Sequence, residues 1–221
     1  RLTHRGAKPL DQHGLDSLDE AGTLGELAGL TRNWGPGARM KLLQHLLDGN
    51  PQEADRWILI VDDDISFPLA GVDTFIAQAV AAGLDLAQPA HLPTSASTFQ
   101  VTEVRLGSLV RLTRFAEVGP GVLVSQRVRG AVLPFPVDVE MGWGLDVEWT
   151  QLVDQGFRLG VVDAAPLVHQ GPAGTSYSRA REFAVFKEGL ARVGANSSHE
   201  LARDTGQIWR PWQPRPRWRV S

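Results

Sequence analysis

Residues 57–64 read WILIVDDD, an apolar run that leads directly into three consecutive carboxylates. The run from 57 to 61 is rich in β-branched and aromatic residues, which predicts a buried strand. Asp62, Asp63 and Asp64 then lie where that strand leaves the sheet, and their adjacent negative charges repel one another. Hard oxygen ligands suit Mg²⁺ or Mn²⁺, so a bound cation explains the cluster. A solvated acidic turn is the alternative.

The composition limits the class of protein. A chain of 221 residues, 43% of them hydrophobic, can bury one sizeable core. The net charge of −3 gives no support for a nucleic-acid partner. No apolar stretch approaches the roughly 18 residues of a membrane-spanning helix. The absence of cysteine excludes disulfides and thiolate chemistry and fits a reducing cytoplasm, so we expect a cytoplasmic protein without a transmembrane segment.

Helical and strand patterns alternate along the chain. Helices are predicted near residues 38–47, 72–82, 126–133 and 179–193, and a segment from 141 begins on glycines and runs into helix-compatible residues to about 155. Strands are predicted near 57–61, 84–87, 122–124 and 159–163. This alternation predicts an α/β layered sheet. Residues 1–195 are expected to form one catalytic domain. Residues 196–221 are expected to be a Pro/Trp/Arg-rich tail, because its proline-rich part suits neither a helix nor a central strand.

Three groups of side chains can meet in such a fold: the acids at 62–64, the pair Asp146 and Glu148, and His169. Carboxylates with one imidazole fit Mn²⁺ or Mg²⁺ better than zinc. A further carboxylate beside such an ion can act as a general base toward a hydroxyl. Taken singly, a structural histidine or a helix-capping acid explains each residue equally well.

The order of these motifs resembles the GT-A glycosyltransferases, which use nucleotide-diphosphate sugars. The shared pattern is an apolar strand followed by DDD, then GWGLDVE at 142–148, then HQG at 169–171. More narrowly, GWGLD, LGVVD at 159–163 and VHQG at 168–171 resemble a glycosyltransferase-like domain of unknown function from plants and bacteria. The resemblance covers roughly residues 31 to 180. It implies a GT-A-like, Rossmann-like fold with a mixed, mostly parallel sheet flanked by helices.

The resemblance also implies roles for the metal and nucleotide residues. Asp64 would ligate Mn²⁺ or Mg²⁺ directly, and His169 would be a late metal ligand. Asp62 would contact the metal or the nucleotide ribose, with Asp63 in the variable middle position of the nucleotide-binding motif. Asn33, Arg39 and Lys41 lie at positions where members of that family often contact the nucleotide base or the diphosphate. A surface helix with two cations is the alternative for Arg39 and Lys41.

The resemblance further implies an acceptor side to the site. Trp143 would stack on an acceptor sugar, or else be a half-buried core tryptophan. The loop 171–177 would be a lid over the donor, or else a linker. The family's usual Gly-Glu-Asp run is replaced here by Leu145-Asp146-Val147-Glu148, so the base is Asp146 or Glu148.

Helix geometry favours a single base. Asp146 follows the glycine turn directly, and side chains two residues apart on a helix point about 200° away from each other. We therefore favour Asp146. The implied activity is metal-dependent transfer of a sugar from a UDP- or GDP-sugar to an unidentified acceptor hydroxyl, with inversion at the anomeric carbon.

Two other functions stay open. Residues 61–66 also resemble the nucleophile strand of haloacid-dehalogenase phosphatases, which need a later lysine; Lys187 is the one lysine downstream of the acids. The second is a non-catalytic nucleotide-sugar-binding protein of the same fold. A GT-A sheet begins with a strand that contacts the base of the nucleotide, and no such strand is predicted before Asn33. Either that first strand lies upstream of this sequence or the pocket is incomplete.

Overall fold

The computed structural model describes residues 38–49, 56–62, 64–136, 139–170 and 178–218. Three of the predicted features lie outside the described residues: Asn33, Asp63 and the loop 171–177. The remaining predicted site residues are all described.

Each of the predicted helices and strands overlaps an observed element of the same type. The α-helices are α1 (Arg39–Asp48), α2 (Val72–Ala82), α3 (Gln126–Val132), α4 (Leu145–Trp149), α5 (Arg179–Arg192) and α6 (Ser198–Leu201). The strands are β1 (Ile58–Val61), β2 (Ile65–Ser66), β3 (Leu86–His91), β4 (Val110–Thr113), β5 (Gly121–Val124), β6 (Leu159–His169) and β7 (Asp204–Trp209). Short 3₁₀ turns cover Gln100–Thr102 and Thr150–Leu152. Within the described residues, no helix has the length and apolar character needed to cross a bilayer.

The strands form one mixed sheet in the order β1-β5-β3-β6-β4-β7, with β2 paired to β6. Within the described residues, β3 and β6 are the one parallel pair, and every other pair of strands is antiparallel. The α/β class is therefore confirmed, and the mostly parallel sheet is wrong. Parallel neighbours need long, usually helical crossovers, but the connections 92–109 and 114–120 contain no α-helix.

Strand β6 is longer than its sequence pattern predicts. It continues from Leu159 through His169 rather than ending at Asp163. The extension is held in the sheet because its last two residues pair with a separate strand, β2. Strand β2 pairs with this end in the register Ile65 to His169. His169 is therefore the last residue of a sheet strand, beside the turn that carries the acids.

Both faces of the sheet are covered by apolar layers. Val122 and Val124 contribute to a core with α1, α3 and α4, whereas Leu123 contributes to a second core with α2. Successive strand residues point to opposite faces, so a strand that is buried on both sides needs an unbroken apolar sequence. This explains why the apolar runs show no polar alternation.

The C-terminal segment contributes to the same sheet. Strand β7 pairs with β4 at one edge, so residues 204–209 of the predicted tail belong to the folded unit. The proline-rich residues follow it, and the side chains of Arg215 and Trp218 donate hydrogen bonds to the carbonyls of Ala81 and Ala82. These carbonyls end α2, where a helix has no partners of its own.

Candidate active site

Asp62, Asp64 and His169 come together as a group that can hold a metal ion. One ligand atom from each lies within 4.8 Å of the others. The fold explains the meeting: the acids follow β1, and β2 brings the turn back to the end of β6. The main-chain N–H of Gln170 donates to the carbonyl of Asp64 at 2.9 Å, which closes this pairing.

The His169 ring is oriented by its main-chain contact. Nδ1 lies 3.4 Å from the carbonyl oxygen of Ala96. Its Nε2 is directed at Asp64 Oδ2, 3.1 Å away. Asp64 Oδ1 is buried and has no hydrogen-bond partner among the described residues. An oriented imidazole nitrogen beside an unpartnered carboxylate oxygen is a donor set that fits Mn²⁺ or Mg²⁺.

Arg39 neutralises one of the acids from inside the protein. Its Nε lies 2.9 Å from Asp62 Oδ1, with both side chains buried, and its Nη2 donates to the carbonyl of Val118 at 3.2 Å. Arg39 therefore contacts Asp62. It does not line the cavity that lies beside the three potential ligands, although a residue that contacts the nucleotide would be expected to do so. Lys41 is exposed on α1. The guanidinium supplies part of the positive charge that the acidic cluster requires.

A cavity of about 360 Å³ lies beside the three potential ligands. Its lining includes five ionisable side chains, those of Asp62, His91, Glu117, Asp146 and His169. It also includes five apolar, largely aromatic side chains, those of Phe99, Met141, Trp143, Phe183 and Phe186. Such a mixed lining suits a substrate that has both a reactive polar group and an apolar face.

Asp146 is aimed by a glycine turn at the start of α4. Gly142 and Gly144 have φ of 103° and 93°, values that side chains rarely adopt. Asp146 Oδ1 accepts hydrogen bonds from the main-chain N–H groups of Gly144, at 3.1 Å, and Val147, at 2.9 Å. Burial, together with the nearby Glu117 carboxylate, raises the pKa of Asp146 to about 7. A carboxylate that titrates near neutrality is suited to accept a proton from a hydroxyl.

Glu148 points away from the cavity. Its Oε1 lies 2.6 Å from Nη2 and 2.8 Å from Nε of Arg192 on α5. The structure thus separates the side chains of Asp146 and Glu148, as the two-residue spacing predicts, and places Asp146 alone of the two on the cavity wall.

A buried carboxylate on α5 fixes the glycine turn from behind. Glu182 is 1% exposed, and its Oε2 accepts a hydrogen bond from the N–H of Met141 at 3.3 Å. Burial raises the pKa of Glu182. Gly144 and Gly189 let the turn and α5 approach closely, since a Cβ on Gly189 would lie 3.2 Å from the Gly144 carbonyl oxygen.

Three residues at this site have no counterpart in the sequence motifs: His91, Ser95 and Glu117. The Ser95 hydroxyl oxygen lies 2.8 Å from His91 Nδ1 and accepts the main-chain N–H of His169, also at 2.8 Å. His91 Nε2 lies 3.5 Å from Glu117 Oε2. His91 ends β3, four residues beyond the strand predicted at 84–87, and Glu117 lies in the connection between β4 and β5.

Trp143 and Lys187 are the remaining predicted residues. Trp143 is half-buried and lines the cavity, a position compatible with stacking on a substrate. Lys187 is exposed, and its ammonium lies 4.8 Å from the ring centroid of Phe183. It therefore contacts Phe183 and does not line the cavity with the acids, where a haloacid-dehalogenase phosphatase needs its lysine.

Gly142→Ala is expected to destabilise the protein by about 1–3 kcal/mol, because the added methyl group is both strained and overpacked. Its Cβ would lie 2.8 Å from Val118 Cγ1 at a φ of 103°. Chemical denaturation would measure the loss. The matched control is Gly156→Ala, where φ is 84° and nothing lies within 4 Å. Equal losses in the two variants would assign the whole cost to φ and none to the contact with Val118.

The sequence matches no protein-family model and no curated protein. The assignment of a function therefore depends on the residues of this cavity and on their geometry.

Proposed function

We propose that this protein is a metal-dependent glycosyltransferase that moves a sugar from a nucleotide-diphosphate donor to an acceptor hydroxyl. The observation that carries the proposal is one cavity whose lining combines two of the three potential metal ligands with a buried carboxylate of nearly neutral pKa. Asp62 and His169 line that cavity together with Asp146. The order of the sequence motifs supports the same function.

The charges around the candidate metal site favour a diphosphate ligand. Asp64 and His169 would hold the cation directly, with Asp62 contributing an oxygen. Because Arg39 already pairs with Asp62 at 2.9 Å, the ligand set carries less negative charge than its acids alone suggest. A divalent ion held there would keep a net positive charge and would supply stabilisation of the departing nucleoside diphosphate. UDP- and GDP-sugars are the proposed donors.

The protein's own groups account for the other requirements of the reaction. Asp146 accepts the proton of the acceptor hydroxyl as that oxygen attacks the anomeric carbon. Its two main-chain hydrogen bonds hold the carboxylate in one orientation before the substrate arrives. Trp143, Phe183 and Phe186 pack against the acceptor and exclude water. A single base with in-line attack gives inversion of the anomeric configuration.

The direct test is incubation of the protein with UDP- and GDP-sugars in Mn²⁺, with release of the nucleoside diphosphate as the readout. If no acceptor is known, slow hydrolysis of the donor serves instead. We expect release that stops when the metal is chelated, and no hydrolysis of p-nitrophenyl phosphate. Phosphomonoester hydrolysis that Asp62→Asn abolishes would favour the phosphatase. Metal-dependent nucleotide binding without turnover would favour the binding protein.

A further inference from the structure

Phe183 and Phe186 form an aromatic pair on α5, where a spacing of three residues puts them on one face of the helix. Their ring centroids lie 6.1 Å apart and the ring planes differ by 19°, so the rings are nearly parallel. Both side chains line the cavity that contains Asp146. Phe183 is 48% exposed, and among the described residues it is the one exposed large apolar side chain that lines this cavity. A ligand that covers this ring removes apolar surface from water, which favours its binding.

The packing of α5 against the glycine turn fixes the aromatic pair relative to Asp146. A Cβ on Gly144 would lie 3.4 Å from Phe186 Cα, so the main chain of the turn lies directly against that of the helix. The N–H of Gly144 donates to Asp146 Oδ1 at 3.1 Å. Glu182 of the same helix accepts a hydrogen bond from the N–H of Met141 before the turn. A ligand that lies against the rings therefore has a defined position relative to the Asp146 carboxylate.

We propose that the acceptor is a small aromatic compound whose reacting hydroxyl is a phenol, bound with its ring against Phe183 and Phe186 and its hydroxyl toward Asp146. Aromatic side chains bind flat aromatic ligands by stacking, which adds to the burial of apolar area. A cavity of about 360 Å³ lies at the small end of the range for ligand pockets, which favours a small acceptor. The transfer step rests on the proposed function, whereas the binding of the aromatic ring does not.

A phenol also suits the chemistry of the proposed base. In the transfer step the phenol oxygen bonds to the anomeric carbon, its proton passes to Asp146, and the bond from that carbon to the diphosphate oxygen breaks. Burial raises the pKa of Asp146 to about 7. The pKa of a phenol is about 10, well below that of an aliphatic hydroxyl, so Asp146 takes a proton more readily from a phenol than from a sugar.

The test measures the binding of 2-naphthol by isothermal titration calorimetry, with neither donor nor metal present. Decahydro-2-naphthol keeps the hydroxyl group and the carbon skeleton but has no aromatic ring, and methyl β-D-glucoside represents a sugar acceptor. We expect 2-naphthol to bind severalfold more tightly than either compound. Phe183→Ala should weaken 2-naphthol binding by about tenfold, because it removes both the stacking and the apolar area. Phe183→Leu keeps an apolar side chain without the ring and should also weaken binding severalfold.

The matched control is Trp212→Ala, which removes an aromatic side chain that is 71% exposed and lies outside the cavity lining. This variant should bind 2-naphthol as the wild type does. Equal affinity for decahydro-2-naphthol, absence of 2-naphthol binding, or wild-type affinity in Phe183→Ala or Phe183→Leu would overturn the proposal.

Transfer assays separate this proposal from the proposed function. Sugar transfer to methyl β-D-glucoside in preference to 2-naphthol would overturn the phenol acceptor and keep the glycosyltransferase. Binding of 2-naphthol that depends on Phe183, without sugar transfer to any acceptor, would reject the proposed function and keep the aromatic binding site.

Discussion

Asp146→Asn is expected to slow sugar transfer by about 10²–10⁴-fold, the usual contribution of a general base, while nucleotide and metal binding persist. The asparagine oxygen can still accept hydrogen bonds from the N–H groups of Gly144 and Val147, so the turn keeps its geometry. The amide cannot take up a proton from the acceptor. Steady-state rates with the wild-type donor and acceptor would measure the loss, and calorimetry would measure binding.

The matched control is Glu148→Gln. Glu148 is bound to Arg192 on the far side of α4 and does not line the cavity, so its loss should change the rate far less. The reverse ranking would identify Glu148 as the base. Nearly normal rates in both variants would show that the motif positions the acceptor or only caps the helix.

The same assignment fixes the direction of the pH dependence. Asp146 acts as a base only when it is ionised, and its pKa is raised to about 7. The rate should therefore rise by about tenfold per pH unit below neutrality and level off above it. Asp146→Asn should remove this rise, whereas a rate that falls as the pH approaches 7 from below would contradict the role.

Asp64→Ala is expected to weaken nucleoside diphosphate binding in Mn²⁺ by well over tenfold. Asp64 supplies one carboxylate of the ligand group and an Oδ1 that has no other partner among the described residues. Without it the cation is held poorly, and the phosphate charge loses its main counter-charge. Isothermal titration calorimetry with UDP and GDP would measure the change.

Asp73→Ala is the control for that experiment. Asp73 is an exposed acid in the first turn of α2, outside the cavity lining, so its removal should leave affinity close to that of the wild type. Chelation of the metal should weaken wild-type binding to the level of Asp64→Ala. Equal wild-type affinity in EDTA would contradict a metal-bridged diphosphate.

Local patterns predicted the local structure well. The unbroken apolar run before Asp62 is a strand, and the helical spacing at 72–82 gives α2 with the same bounds. The opposite directions of Asp146 and Glu148 also follow from the rise and turn of a helix, which need no tertiary information. In each case the deciding interactions lie within a few residues of one another.

The features that the sequence did not predict depend on distant pairings. The direction of each strand depends on how the chain returns, and alternation of helices and strands does not determine it. The partner of Arg39 was missed for a related reason: its contact with the Val118 carbonyl spans 79 positions. The contact of Ser95 with His169 spans 74 positions, so no local motif marks Ser95, His91 or Glu117 as members of one site.

The two-residue strand β2 has a consequence for the order of folding. Its pairing with the end of β6 brings Asp64 to His169 across 105 positions of the chain. Contacts at such separation close large loops and form after local structure, so topologies of this kind fold slowly.

The ligand group therefore exists only in molecules that have completed the sheet. A cation that binds this group has no comparable site in the unfolded chain, and by mass action it increases the population of the finished fold. Metal uptake during refolding would thus report the pairing of β2 with the end of β6.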